Sequence, residues 1–158
     1  MDENKYLFDI NSKKIYIKSQ ENNPCLSFKN EIINSLYEDS YNINETFITK
    51  HIHNDRDKDI IVSKYDVETL ISCKHREKGN IRFNNVERTS NISNYYDVQG
   101  IIVTNLNYTK NARTYASRYN IILCDKSNLN HKLNFYIEKE LDKRELDVLC
   151  NILNNEDY

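Results

Sequence analysis

The sequence predicts an α/β fold, a mixed β-sheet flanked by helices with a β-hairpin at the N-terminal end. Three observations carry the prediction. Apolar runs at 59–62 and 68–74 are joined by the short link Ser63-Lys64-Tyr65-Asp66, which makes them an antiparallel pair. The stretch VQGIIVT at 98–104 is apolar enough to be a central strand. Helix-period segments separate the later strands, and such crossovers imply parallel neighbours.

Short apolar runs at 5–10 and 14–19 flank Asn11-Ser12 and read as the hairpin. Pro24 opens a helix over about 27–37, with Ser27 as cap and Phe28, Ile32, Ile33 and Leu36 at helical spacing. A strand is expected at 46–51, followed by the charged turn Asn54-Asp55-Arg56-Asp57 and the paired strands at 59–62 and 68–74. A polar stretch containing Gly79 leads to a helix at 83–95 and then to the central strand. Ala112, Tyr115, Ala116 and Tyr119 make one stripe of a helix at 109–119, and NIILC at 120–124 is the next strand. A last strand is expected at 133–137. A C-terminal helix follows at 142–153, with Leu146, Leu149, Cys150 and Leu153 as its apolar face. The whole of 1–158 reads as one domain with its core at about 25–130.

The 158 residues include only two glycines and one proline, but 24 asparagines. Asn and Asp must therefore supply most left-handed turn positions. So little glycine excludes a Walker loop and a GxGxxG dinucleotide fingerprint. The 22 basic and 24 acidic residues nearly cancel, and mean hydropathy is −0.78, which describes a folded chain with a very polar surface. MDENKYLFDI is acidic with no apolar run behind it, and no run of 18 apolar residues exists, so neither a leader nor a membrane span is expected. Cys25, Cys73, Cys124 and Cys150 show no zinc spacing; Cys73 and Cys124 read as buried free thiols, which points to an intracellular, reducing compartment.

The chemistry concentrates between 59 and 129. Asp59 and Lys74 lie at the ends of adjacent antiparallel strands. Leu70, Ser72 and Lys74 share one strand face, and Thr69, Ile71 and Cys73 share the other. A carboxylate for a hard cation and an amine for water and phosphate are what phosphodiester hydrolysis needs. Asp59-Ile60-Ile61-Val62 is followed in order by Cys73-Lys74, Gly100-Ile101-Ile102-Val103-Thr104, Tyr108-Thr109-Lys110-Asn111-Ala112, Tyr115-Ala116, Asn120-Ile121-Ile122-Leu123-Cys124-Asp125 and Leu129. This series resembles the PD-(D/E)XK nuclease superfamily, in particular its Mrr-like restriction endonuclease branch. The resemblance implies a restriction-endonuclease-like sheet and an Mg²⁺- or Mn²⁺-dependent endodeoxyribonuclease of restriction or defence, repair or junction resolution. Asp59 would be a metal ligand, Lys74 the catalytic lysine and the Cys73 carbonyl a further ligand. Glu31, inside the first helix, would serve a second metal or orient the first.

One position departs from the family. Ser72 stands where the family has Glu or Gln, so the site lacks one carboxylate. Either the carboxylate has migrated to Glu87, thirteen positions after Lys74 on the next helix, or the fold no longer cuts and serves as a nucleic-acid-binding or assembly subunit. In the first case Ser72 hydrogen-bonds within the site. In the bland reading Glu87 pairs with Arg82 or Arg88, and Glu31 is solvated. Lys74, His75, Arg76, Lys78, Arg82 and Arg88 fall within fifteen positions, and Lys110 follows on a later helix; this local cationic surface is expected to meet DNA phosphates. His51 and His53 have no third ligand in view. Targeting would come from a homodimer or a separate subunit. Gly79 and Gly100 are expected to mark positive φ or close backbone approach near the site.

Overall fold

A computed structural model describes residues 6–9, 14–17, 24–44 and 57–155. The expected strand at 46–51, the residues 54–56 of the charged turn, His51 and His53 lie outside the described residues. β1 (Tyr6–Asp9) pairs antiparallel with β2 (Lys14–Ile17), Tyr6 opposite Ile17. α1 (Pro24–Glu38) follows, with Pro24 in the first turn, where its missing N–H leaves no bond unmade.

Then come β3 (Asn42–Asn44), β4 (Asp57–Lys64), β5 (Val67–Lys74), α2 (Phe83–Tyr96), β6 (Gln99–Thr104), α3 (Lys110–Tyr119), β7 (Ile122–Asp125) and α4 (Leu129–Asn155). The five-stranded sheet runs β3-β4-β5-β6-β7, antiparallel from β3 to β5 and parallel from β5 to β7. It is the mixed sheet the sequence predicted, with four helices around it.

Two successive right-handed crossovers that advance in one direction set both their helices on one face. α2 and α3 accordingly share a face, where Val86, Ala112 and Ala116 pack on Ile102. α1 and α4 cover the other face through Ile32, Ile33, Leu36, Leu133 and Ile137 over Ile71, Val103 and Cys124. Side-chain alternation thus assigns Ser72 and Lys74 to the α2 side and Cys73 to the α1 side.

The expected strand at 133–137 is instead helix. Leu133, Phe135 and Ile137 alternate as a strand would, but Leu129, Leu133 and Ile137 are buried at four-residue spacing while Phe135 is 53% exposed. α4 therefore runs unbroken for 27 residues. The apolar face expected over its second half is not buried: Leu146, Leu149 and Leu153 are exposed.

Non-glycine residues carry five left-handed positions among the described residues, namely Ser40, Tyr65, Asp66, Asp97 and Asn120. Three of these are Asn or Asp. Tyr65 and Asp66, with φ of 53° and 61°, form the tight turn of the β4–β5 hairpin. Gly79 has φ +88°, and Gly100 allows close approach, since a Cβ there would lie 2.9 Å from Ile121 Cδ1 and 3.2 Å from Ser93 Cβ.

Candidate active site

The β4–β5 register places Asp59 opposite Ser72 and Asp57 opposite Lys74; the β5–β6 register continues Lys74 to Thr104. Asp59 and Ser72 are 1% exposed, and Lys74 and Thr104 are fully buried. The roof over this face is α2, whose inner residues Val86, Thr89, Ser90 and Ser93 are small and mostly polar. That composition gives a carboxylate on the sheet something to bond.

The bonding has one direction. Ionised Asp59 can only accept, so Ser72 Oγ donates its single proton to Asp59 Oδ1 at 2.6 Å. Ser72 Oγ then accepts from Thr89 Oγ1 at 3.0 Å. The relay Thr89–Ser72–Asp59 holds the carboxylate in one orientation. Asp59 Oδ2 is buried and accepts no hydrogen bond among the described residues; Arg88 Nη2 stands 3.5 Å from it. Cys73 senses the same charges through the sheet: burial and then Asp59 push its thiol up to about 12, while Lys29 and Lys74 pull it down. Asp59 and Lys74 therefore act on one electrostatic neighbourhood. The Cys73 side chain itself is core, and Cys73 and Cys124 are free buried thiols as expected.

The structure does not bring Glu31 or Glu87 to this point. Glu31 is exposed and paired with Lys126. Glu87 is exposed on α2 beside Tyr115, whose hydroxyl is pushed up by desolvation and then by that carboxylate. The reason is helical geometry. Thr89 faces the sheet, and two residues turn a helix by about 200°, so Glu87 points nearly away from it. Among the described residues no group of three or more His, Cys, Asp or Glu could hold a metal ion.

The basic residues divide. Arg88, expected on phosphate, sits on Asp59. His75 is half-buried, its ring 5.4 Å from that of Phe28. Arg76 N donates to Asn105 Oδ1 at 3.0 Å and Asn105 Nδ2 returns to Arg76 O at 2.7 Å, tying the loop after β5 to the loop after β6. Lys78, Arg82 and Lys110 are exposed. Sequence reasoning missed Thr89 and the buried Lys29. Thr89 was findable from the spacing of Val86, Thr89, Ser90 and Ser93, which marks one helix face.

A family model described as restriction endonuclease, the Mrr catalytic domain, matches residues 26–133. The chain belongs to this Mrr-type restriction endonuclease family. Its matched segment holds every element from α1 to the start of α4, and the Asp59–Ser72–Lys74 face lies inside it. The family is named for restriction endonucleases, which act on DNA, and its members typically use a divalent metal ion. A search of curated proteins matched nothing. Among solved structures, the crystal structure of a protein of unknown function, AF1548, is similar at 20% identity with a TM-score of 0.47, covering 65% of this chain and 59% of that one. Among the described residues no helix is long and apolar enough to cross a membrane.

A hard divalent cation takes oxygen ligands. Asp59 Oδ2, buried and without a hydrogen bond among the described residues, is such an oxygen. The described donors fit a cation at this one carboxylate, with backbone carbonyls left to supply further oxygens.

Proposed function

We propose that the chain is a divalent-metal-dependent endonuclease that hydrolyses phosphodiester bonds in DNA, with Mg²⁺ or Mn²⁺ held by Asp59. The observation that supports this reading is the burial of Asp59 and Lys74 on one face of a sheet that lies inside the segment matched to the family. Two buried charges cost several kcal/mol of desolvation each, so a sheet with only stability to serve would do better with apolar residues there.

Ser72 and Thr89 would hold the Asp59 carboxylate still. Lys74 would orient or deprotonate the attacking water. Arg88 would leave Asp59 for the scissile phosphate, since its side chain is 36% exposed and long enough to swing. A bound divalent ion would polarise the phosphate and stabilise the charge that develops on it. The Cys73 carbonyl would be a further oxygen ligand. Glu31 and Glu87 would join only by leaving Lys126 and Tyr115. Asp57, set opposite Lys74 by the register, is the other acidic position to test. Exposed Lys78, Arg82 and Lys110 would meet backbone phosphates, alongside His75 and Arg76 in the loop. One site cuts one strand, so a second copy or a targeting subunit would complete a double-strand cut.

The test is nicking of supercoiled plasmid with Mg²⁺ or Mn²⁺. Wild type should nick; Asp59→Asn and Lys74→Met should not. Equal nicking by Asp59→Asn would remove the metal-ligand assignment, and the same series with Asp57→Asn, Glu31→Gln and Glu87→Gln identifies the second carboxylate. A second reading, a nuclease fold that binds DNA without cutting, is favoured by the single carboxylate and by Arg88 balancing it. It predicts metal-independent binding and no nicking by any variant.

A further inference from the structure

Three aromatic rings stand in a row on the outer surface of α2 and α3. Tyr115 and Tyr119, one turn apart on α3, stack at 4.3 Å between centroids with planes 26° apart. Phe83, in the first turn of α2, continues the row 6.5 Å from Tyr115. Phe83 is 48% and Tyr119 47% exposed, so the row is open to solvent. A groove of about 320 Å³ lies beside Phe83 and Tyr115, lined also by Asn111, Thr114 and Arg118.

We propose that this row is a stacking platform for unpaired bases, so that the DNA bound by the protein includes a single-stranded segment. The proposal rests on the DNA-nuclease reading above and names its substrate class. Three arguments carry it. In duplex DNA the base faces are covered by their neighbours and only the edges are offered, whereas the exposed rings at the two ends of the row, Phe83 and Tyr119, can take bases that have come out of the stack. The charge is right for a strand backbone: α3 carries Lys110, Arg113 and Arg118 with no acidic residue, and Arg82 precedes Phe83, against the single carboxylate of Glu87. The platform also shares a helix with Arg88, Phe83 lying five residues before it, about 7.5 Å along the axis and about 140° round it. Asn111 adds an amide that can reach a base edge.

The experiment is fluorescence anisotropy with the full chain in EDTA, where nothing is cut. Its probes are a labelled single-stranded oligonucleotide, its blunt duplex and the same duplex with a single-stranded overhang. The single strand and the overhang should bind more tightly than the blunt duplex. Phe83→Leu and Tyr119→Leu, both at exposed positions, should each weaken single-strand binding about 5- to 100-fold and leave blunt-duplex binding unchanged. Neither should alter the salt slope, whereas Arg118→Gln should reduce it by about 1. A 2-aminopurine in the oligonucleotide should change fluorescence on binding wild type and not on binding Phe83→Leu. Equal affinity for single strand and blunt duplex overturns the proposal, as does loss of both affinities in step or retention of full single-strand affinity by both ring variants. Plasmid nicking without single-strand preference would sink this inference and leave the nuclease reading standing. Ring-dependent single-strand binding without nicking would do the reverse.

Discussion

Asp59 and Lys74 should prove strongly coupled in a double-mutant cycle, and the two single variants should differ in cost. In Lys74→Met, Asp59 keeps its 2.6 Å bond from Ser72 and the Arg88 guanidinium at 3.5 Å, so its charge stays supported. Met matches the lysine stem in length and is at home in the core, so the cost should be about 1 kcal/mol. In Asp59→Asn the new amide oxygen still accepts from Ser72. The Lys74 ammonium, at zero exposure, loses a carboxylate that lies one diagonal position away on the same sheet face. Leaving a buried charge less compensated costs about 3–5 kcal/mol. The double variant removes both charges and should return to within about 1 kcal/mol of wild type. The coupling energy is then about 2–5 kcal/mol, with the loss from Asp59→Asn the larger. Urea unfolding followed by far-UV circular dichroism at pH 7 measures all four proteins, and repetition at high salt should change little because the groups are buried. Additive effects within about 0.5 kcal/mol would refute the claim that the two residues balance each other, and a costlier Lys74→Met would reverse the assigned support.

Four further outcomes follow from the same geometry. Gly100→Ala should lose about 1–3 kcal/mol in urea unfolding, because its Cβ would meet Ser93 and Ile121; a neutral result would mean that β6 and α2 can separate freely. Asp66→Gly should stabilise the protein by roughly 0.5–1 kcal/mol, since φ of 61° strains an L residue; destabilisation would show that the Asp side chain supports the turn. Asp125 accepts from Ser127 N at 2.8 Å and Asn128 N at 3.1 Å ahead of α4, and Asp125→Ala should cost about 1 kcal/mol. The Ser127 hydroxyl bond, foremost, holds the Asp125 carboxyl below its ordinary 3.8, so that difference should be complete above that value and vanish as pH falls through the lowered one; a pH-independent difference would exclude the charge as its source. At pH 8, Cys150 should react with an iodoacetamide reagent while Cys73 and Cys124 stay protected, because burial raises both thiols to about 12; fast labelling of Cys73 would place it outside the core.

The sheet was legible wherever apolar pattern and connection length agreed. The four-residue link Ser63-Lys64-Tyr65-Asp66 forced an antiparallel hairpin, and apolar 98–104 had to be interior because both of its faces needed cover. The helix expected at 109–119 starts one residue later, at Lys110, because Thr109 caps it, its hydroxyl accepting from Ala112 N at 3.1 Å. Residues 133–137 misled because Leu-Asn-Phe-Tyr-Ile satisfies the period of a strand and that of a helix at once. Only the longer frame through Leu129 and Leu141 separates the two, and that frame is visible over thirteen residues but not over five. The exposed second half of α4 was misread for a different reason. Apolar spacing predicts which side of a helix would be buried, and says nothing about whether a surface is there to bury it.

The site was legible where strands carry it and obscure where helices do. A strand has two faces, so Lys74 and Ser72 had to fall together, and the hairpin had to bring Asp59 to them. A helix has a continuous rotation, fixed here by Val86, Thr89, Ser90 and Ser93 meeting the sheet. A shift of two residues separates Thr89, which bonds Ser72, from Glu87, which faces Tyr115. Counting positions after Lys74 leads to α2, where Glu87 is exposed beside Tyr115. This changes what Ser72 means. A glutamate at 72 would set a second negative charge directly opposite Asp59, whereas serine gives that carboxylate a neutral donor, and Thr89 completes the donor's own bonding. Among the described side chains, Asp59 then stands with Lys74 buried on its face and Arg88 3.5 Å away, an arrangement that suits a passing phosphate as well as it suits a silent fold. Nicking by wild type that fails in both Asp59→Asn and Lys74→Met separates those two, because a site kept only for binding has no cleavage to lose.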